Sequence, residues 1–345
     1  MDLNAPARSA YVHVPFCAHH CGDCNFTVID GRQDLAGDFL RAIEKEIASL
    51  PSEYELDTLY FGGGTPSQLS CDELEQLFGI VRQRLHLVDK CEVTVEVNPA
   101  DANSAKMSTL AKLGVTRVSL GAQSFNPANL QLLERDHSQE DIQAAIESTR
   151  GVGIPAVALD LIFAVPGQTL ANWQADIATA LRLAPEHIST YGLTYEKGAA
   201  FFGRLQRGEL QAVDEEIERT MYGLAIDQLA AAGLEHYEVS NFAVKEKRSR
   251  HNEVYWTGKD YLAFGPGASR FVQGRRETNH RSVREYLRRV LAGESPVAES
   301  EQLNPEDAAR ERLVFGLRRL EGVSLEVFQT CTGFRVQQLV TRPLE

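Results

Sequence analysis

Cys17, Cys21 and Cys24 share one eight-residue stretch with the spacing Cys-x3-Cys-x2-Cys, and they are three of only six cysteines in 345 residues. In a reducing compartment, cysteines this close are read for metal or redox chemistry and not for disulfides. Three thiolates on one tight loop can hold three corners of a [4Fe–4S] cubane, which leaves the fourth iron without a protein ligand. An open iron suits S-adenosylmethionine. Its amino and carboxylate groups chelate that iron, and an electron passed to the sulfonium cleaves a carbon–sulfur bond to give a 5′-deoxyadenosyl radical. The competing reading is a Cys3His zinc site completed by His19 or His20. Structural zinc usually draws its ligands from two separated pairs, and no second pair follows. Cys71, Cys91 and Cys331 stand alone and read as small core or helix-surface residues.

Such a loop needs a rigid element to aim it. Tyr11–Val14, Thr58–Phe61, Val93–Val97, Arg117–Leu120, Val157–Ile162 and Ile188–Leu193 read as strands, with helix-period segments between them. Leu35, Phe39, Ile43 and Ile47 recur every four residues; Leu74, Leu77, Phe78, Val81 and Leu85 follow the same rule, behind a capping box formed by Ser70 and Glu73. Strands alternating with helices need crossover connections and so form a parallel sheet, which predicts an α/β fold built as a partial (β/α)6 barrel. In that architecture function gathers at the C-terminal ends of the strands. The cysteine loop follows the first strand, Gly62–Pro66 the second and Glu96–Pro99 the third, while Gln123, Asp160 and Val165–Gly167 close later ones.

The expected division is a barrel over residues 8–240 and a smaller, mostly helical domain over 241–345, with helices around Val283–Leu291, Pro305–Leu320 and beyond Ser324. The composition is that of a soluble globular chain, with 43% hydrophobic and 24% charged residues. A formal net charge of −13 argues against holding nucleic acid by phosphate neutralisation. Met1 to Ala10 has no apolar run behind a basic start, and no long uncharged apolar stretch follows, so a cytoplasmic protein is expected.

The motifs together resemble the radical S-adenosylmethionine superfamily, in the branch holding oxygen-independent coproporphyrinogen III oxidase and the HemW-type haem chaperones. Tyr11-Val-His13-Val-Pro15-Phe16-Cys17 resembles that branch's opening, and the likeness continues through Gly62–Pro66, Glu96–Pro99, Gly121–Phe125, Asp160–Gly167 and on to Ala268. It implies that Gly63, Gly64 and Thr65 approach the methionine moiety, that Glu96 holds the ribose hydroxyls, and that Gln123, Arg135 and Asp160 line the cofactor pocket, with Tyr11 and Thr194 at its edge. Asp23 departs from the pattern, standing where the branch usually has an aromatic residue beside the adenine.

Oxidases of this branch carry a further cysteine two positions after the third cluster ligand, and an N-terminal extension. Here that position is Phe26 and Tyr11 comes early, so the oxidase reading is disfavoured. His251-Asn252-Glu253-Val254-Tyr255-Trp256 is similar to the HNxxYW motif of HemW-type chaperones. A histidine can ligate haem iron, Tyr255 and Trp256 offer flat apolar surface, and the preceding Lys245, Lys247, Arg248 and Arg250 suit haem propionates. Taken alone, a histidine near aromatics is more often buried with its hydrogen bonds satisfied. A further basic concentration, Arg270, Arg275, Arg276, Arg281, Arg284, Arg288 and Arg289, could face a membrane surface or an acidic partner, against the plainer reading of a solvated face. The resemblance therefore implies a haem chaperone with a [4Fe–4S] cluster, S-adenosylmethionine and haem, served by an electron donor and haem-accepting proteins. The alternative is a radical enzyme that oxidises, methylates or opens a tetrapyrrole. Relatives in the branch typically continue into a small winged segment, whereas this chain stops at Arg342-Pro343-Leu344-Glu345, which predicts an abbreviated terminal domain.

Overall fold

The structure, a computed structural model, describes residues 6–340; the first residues and the tail from Thr341, including Arg342 to Glu345, lie outside the described residues. Strands β1 (Ser9–Val14), β2 (Tyr54–Gly63), β3 (Leu85–Val97), β4 (Arg117–Gln123), β5 (Val157–Phe163) and β6 (His187–Gly192) form where the β-branched runs lie. Each pairs in parallel with the next in chain order. Helices α1 (Ala36–Ala48), α2 (Cys71–Arg82), α3 (Ser104–Lys112), α4 (Gln139–Gly151) and α5 (Leu170–Arg182) occupy successive crossovers. Phe39, Ile43 and Ile47 of α1 are buried, as their spacing requires. The capping box of α2 is present: Glu73 N–H donates to Ser70 Oγ at 3.2 Å, and Ser70 N–H to Glu73 Oε2 at 2.8 Å.

The sheet has nine strands and two open edges. The β6 edge is extended by an antiparallel pair, β7 (Glu235–Glu238) and β8 (Asn241–Ala243), packed under helix α6 (Glu215–Ala231). Beyond helix α7 (Arg250–Trp256), strand β9 (Leu262–Phe264) adds in parallel to the free edge of β1. The sheet thus runs across position 240, and the later segments complete it. After β9 comes a three-stranded antiparallel sheet of β10 (Ser269–Val272), β11 (Arg275–Asn279) and β12 (Val297–Gln302), together with helices α8 (Val283–Leu291) and α9 (Pro305–Gly316). The β10–β11 turn places Gln273 and Gly274 both at positive φ, 51° and 75°, as a two-residue hairpin requires. Buried Glu46 on α1 ties this part to the barrel, accepting hydrogen bonds from Gly265 N–H (2.9 Å), Asn279 Nδ2 (2.7 Å) and the Tyr286 hydroxyl (2.6 Å).

The two faces of the parallel strands differ in chemistry. Leu59, Phe61, Val93, Val95, Val118, Leu120, Leu159, Leu161 and Ile188 point to the helices and are buried in one continuous core. The alternate positions on the other face are largely polar and line a cavity.

Candidate functional site

The cysteine loop is held in place by the glycine turn after β2. Gly64 N–H donates to Val14 O at 2.8 Å and Thr65 N–H to Phe16 O at 2.7 Å, so the turn lies directly against the chain entering Cys17. A Cβ on Gly64 would come within 2.8 Å of Phe16 O and 2.9 Å of Val14 O. One on Gly63, whose φ is +110°, would come within 2.3 Å of the His13 imidazole. These glycines are required by close backbone approach and by conformation.

Cys17, Cys21 and Cys24 are all half-buried and all face a cavity of about 1280 Å3. Gly63, Gly64, Thr65, Glu96, Gln123, Arg135, Asp160 and Thr194 line the same cavity, so the predicted cofactor residues are brought together, with one exception. Tyr11 lines a smaller neighbouring cavity of about 400 Å3 and pairs its hydroxyl with His13 Nδ1 at 3.1 Å. Thr194 is exposed at the rim. Gln123 ends β4 at φ 62°, a left-handed conformation that costs a non-glycine residue about 1 kcal/mol or more and is tolerated mainly at functional sites.

Burial raises Glu96 to about 7, with the Asp160 carboxylate adding to the shift. The Tyr60 hydroxyl donates to its Oε1 at 2.7 Å and Gly63 N–H to its Oε2 at 3.1 Å. Burial likewise raises Asp160, which accepts from Ser119 Oγ at 3.1 Å. Tyr60, Ser119 and Ser189 were not singled out from the sequence. Each is a polar residue at an inward position of an otherwise apolar strand, a period-2 signal that marks a polar lining.

Asp23 does not sit as a bare substitute for an aromatic ring. Its Oδ2 accepts from Arg135 Nη2 at 2.7 Å, and Arg135 Nη1 lies 3.3 Å from Cys21 Sγ. Cys17 Sγ lies 3.5 Å from Thr65 Oγ1. The donor set fits a [4Fe–4S] group: three soft ligands on one cavity wall, one of them already receiving the kind of N–H hydrogen bond that tunes cluster sulfurs. Among the described residues no three His, Cys, Asp or Glu side chains converge on a single point, whereas a cubane asks each thiolate for a different iron. Burial pushes the Cys17 thiol up to about 11, Cys21 to about 12, and raises Cys24, so metal loading must release protons.

The downstream motif forms α7, which closes the N-terminal end of the strands. Glu92 caps it, accepting from His251 N–H at 3.0 Å and Arg250 N–H at 3.3 Å. Asn252 and Ser249 of this segment line the far end of the large cavity. The three aromatic candidates separate. His251 is 1% exposed, with Nδ1 2.8 Å from Thr58 Oγ1 and Nε2 2.9 Å from the Tyr255 hydroxyl, so neither nitrogen is free for a metal in this conformation. Tyr255 lines the smaller cavity. Trp256 turns to the last helices, its ring under the Arg318 guanidinium at 4.4 Å.

Of the four cations at the start of α7, Lys247, Arg248 and Arg250 anchor it and do not stand free for propionates, while Lys245 is exposed. Arg248 donates to Glu235 and Glu321, Arg250 to Lys90 O and Asp57 O, and Lys247 to Pro155 O. Most of the later basic concentration is likewise paired: Arg270 and Arg275 with Glu277, Arg276 with Glu311, and Arg288 and Arg289 with Glu285 and Glu294. Neutralised by neighbouring acids, it forms a solvated face of mixed charge. No helix among the described residues is long and apolar enough to cross a membrane.

Residues 11–180 match the family described as the Radical SAM superfamily. The chain is 34% identical over 325 residues to the heme chaperone HemW of Bacillus subtilis (strain 168), covering 93% of this chain and 86% of that protein. It is 36% identical to the heme chaperone HemW of Lactococcus lactis over 93% of this chain and 84% of that one. It is 33% identical to the mitochondrial radical S-adenosyl methionine domain-containing protein 1 of Danio rerio, over 93% and 75%. Among solved structures, the coproporphyrinogen III oxidase HemN of Escherichia coli matches with a TM-score of 0.84 and 21% identity, over 96% of this chain and 81% of that chain. At that identity the likeness is one of fold.

Proposed function

The chain belongs to the radical S-adenosylmethionine superfamily, in the group that includes the HemW proteins, and from that premise we propose that it carries haem to acceptor proteins. The family implies a [4Fe–4S] cluster and S-adenosylmethionine. Haem as cargo is supported by the names of the Bacillus subtilis and Lactococcus lactis relatives. The observation that carries the reading is that the cysteine loop and the HNxxYW helix open on one cavity: the three cysteines line its mouth, and Ser249 and Asn252 its far end.

In this reading Cys17, Cys21 and Cys24 hold the cluster, and Gly63, Gly64 and Thr65 let backbone groups reach the methionine moiety. Glu96 takes the ribose hydroxyls. Two donors already occupy it, and a carboxylate has about four acceptor positions, which leaves room for both hydroxyls. Gln123, Arg135 and Asp160 wall the cofactor, with Thr194 at the rim. When bound, the cluster and S-adenosylmethionine together supply one-electron chemistry at the sulfonium, fed by an external electron donor.

Phe26 stands where oxidases of the branch carry a further cysteine, and it is 68% exposed. A phenyl ring cannot replace a thiol, which disfavours that oxidation. The second reading, a radical enzyme acting on a tetrapyrrole, draws on the cavity itself: about 1280 Å3 exceeds the ~300–1,000 Å3 of ordinary small-molecule sites and has space beyond one cofactor.

Anaerobically reconstituted protein is expected to contain about four irons and four sulfides per chain, and Cys21→Ala to lose the cluster. Stoichiometric zinc without sulfide would contradict the assignment.

A further inference from the structure

The carboxylates around the large cavity already have their donors. Glu96 accepts from the Tyr60 hydroxyl and Gly63 N–H, and Asp160 from the Ser119 and Ser189 hydroxyls. Glu92, behind the cavity floor, accepts from Arg117 and from the N–H groups of Arg250 and His251. At the floor itself the balance is the other way, and donors are in surplus.

Thr94 of β3 and Arg117 of β4 are register partners, and both line the cavity together with His187, the first residue of β6. Their exposures are 1%, 5% and 3%, so water does not serve them from outside. Arg117 makes all its hydrogen bonds through Nη2, to Glu92 Oε2 at 3.2 Å, Lys247 O at 2.9 Å and Arg248 O at 3.1 Å. Its Nε and Nη1 have no partner among the described residues, and neither do Thr94 Oγ1 and His187 Nδ1. The hydrogen-bond chain behind His187 fixes which of its nitrogens carries the proton. The Tyr237 hydroxyl accepts from Ser249 N–H at 3.2 Å and donates to His187 Nε2 at 2.8 Å, which leaves the neutral ring protonated on Nδ1. Burial, with the charge of Arg117 adding to it, holds this imidazole well below its ordinary pKa and so keeps it neutral.

We propose that this floor is a binding site for a short-chain carboxylic acid, whose carboxylate takes the unpaired groups of Thr94, Arg117 and His187. Buried polar groups are seldom left without partners, and several on one cavity floor ask for an acceptor. A carboxylate has two oxygens with about four acceptor positions, which matches Thr94 Oγ1, Arg117 Nε and Nη1, and His187 Nδ1.

Arg117 is what selects an anion. Glu92 divides its carboxylate between the guanidinium and two backbone N–H groups, so two of the guanidinium nitrogens keep their N–H groups to offer in a site shielded from water. A charge-assisted bond there favours a carboxylate over an alcohol or a water. The acid must also be short. Thr94 stands two residues before Glu96 on β3, and Arg117 two before Ser119 on β4, a step of roughly 7 Å along a strand. With S-adenosylmethionine at the level of Glu96 and Asp160, the floor has room for a chain of about two or three carbons. That length limit rests on the cofactor reading above, whereas the donor set does not.

The test titrates the full-length, cluster-loaded, haem-free protein anaerobically with isotope-labelled sodium acetate, against sodium chloride at equal ionic strength and without S-adenosylmethionine. The NMR line width of acetate and the unfolding temperature are read. Wild type is expected to give saturable broadening and a rise in unfolding temperature that chloride does not produce. Thr94→Val should weaken acetate binding roughly three- to tenfold, the worth of one hydrogen bond, and Arg117→Gln roughly tenfold or more. In chloride, Thr94→Val loses only an unpaired hydroxyl and should unfold no earlier than wild type, yet acetate should raise its unfolding temperature by less. A threonine with a purely structural role would not split the two salts in this way. Should Arg117→Gln fail to fold, Thr94→Val decides alone. No saturable binding by the wild type, or equal binding by wild type and Thr94→Val, overturns the inference and leaves the haem-carrier reading standing. Failure to bind haem in a separate titration overturns that reading and not this one.

Discussion

Glu96 sits where two influences oppose each other, burial and Asp160 raising it, and the Tyr60 hydroxyl and Gly63 N–H lowering it, with the balance at about 7. In the proposed role the ionised form is the one that accepts two ribose hydroxyls. Affinity for S-adenosylmethionine should therefore rise by roughly tenfold between about pH 6 and pH 8, as the carboxylate forms. Glu96→Gln should flatten that profile and weaken binding by ~1.5–3 kcal/mol, roughly 10- to 100-fold, measured by anaerobic calorimetry. A variant that keeps the wild-type profile would assign the titration to another group. The stability sign is opposite. Because the folded pKa is raised from 4.5, Glu96 stabilises the ligand-free protein at pH below that value, and the contribution is lost as pH rises through about 7. At this scale spacing made the three cysteines readable from the sequence, whereas the role given to Glu96 came from the family resemblance and its place at the end of a strand. A buried His251 with satisfied hydrogen bonds stood as the plainer alternative to haem ligation, but its partner was not named, although Tyr255 lies at i+4 on the same helix, where two side chains meet. What no spacing shows is that Thr58, far away in the chain, takes the other nitrogen.

The elements convert those residues into a site through a few tight contacts. Gly64 lies against the backbone leading into Cys17, and an added Cβ meets Phe16 O, Pro15 C and Val14 O, none of which is a movable side-chain tip. Gly64→Ala is expected to destabilise by ~1–3 kcal/mol and to lower iron and sulfide content after reconstitution. Gly79, within α2, has nothing within 4 Å of its built Cβ. Gly79→Ala should instead stabilise by ~0.5–1 kcal/mol with cluster content unchanged, as thermal unfolding of the two variants would show. A loss of cluster in both would mean that stability, not loop placement, governs loading. All six barrel strands followed from their β-branched runs, and α2 from its capping box. Strands β10 to β12 did not, because Arg275, Arg276, Glu277, Glu299 and Glu301 give them a charged surface sequence, and their turn is Gln273-Gly274 without a stronger hairpin signal. Strand β9 was hidden for a different reason. Three residues, Leu262–Phe264, owe their conformation to the open edge of β1 and to nothing local.

Across the whole molecule, the cluster loop stands at one end of the parallel strands and α7 at the other, with the polar face of the sheet between them. His251 stacks on Tyr60, and Tyr60 donates to Glu96, so the floor of the barrel and the proposed ribose-binding carboxylate share one packed connection. In the proposed carrier that connection would link the cofactor end to the cargo end, and it would serve a radical enzyme as well. The two differ in what becomes of the tetrapyrrole. The most direct measurement incubates cluster-loaded protein anaerobically with excess haem, S-adenosylmethionine and reductant, then identifies the tetrapyrrole by chromatography and mass spectrometry. A haem carrier returns the haem intact, whereas altered tetrapyrrole formed in several equivalents per chain would contradict the account.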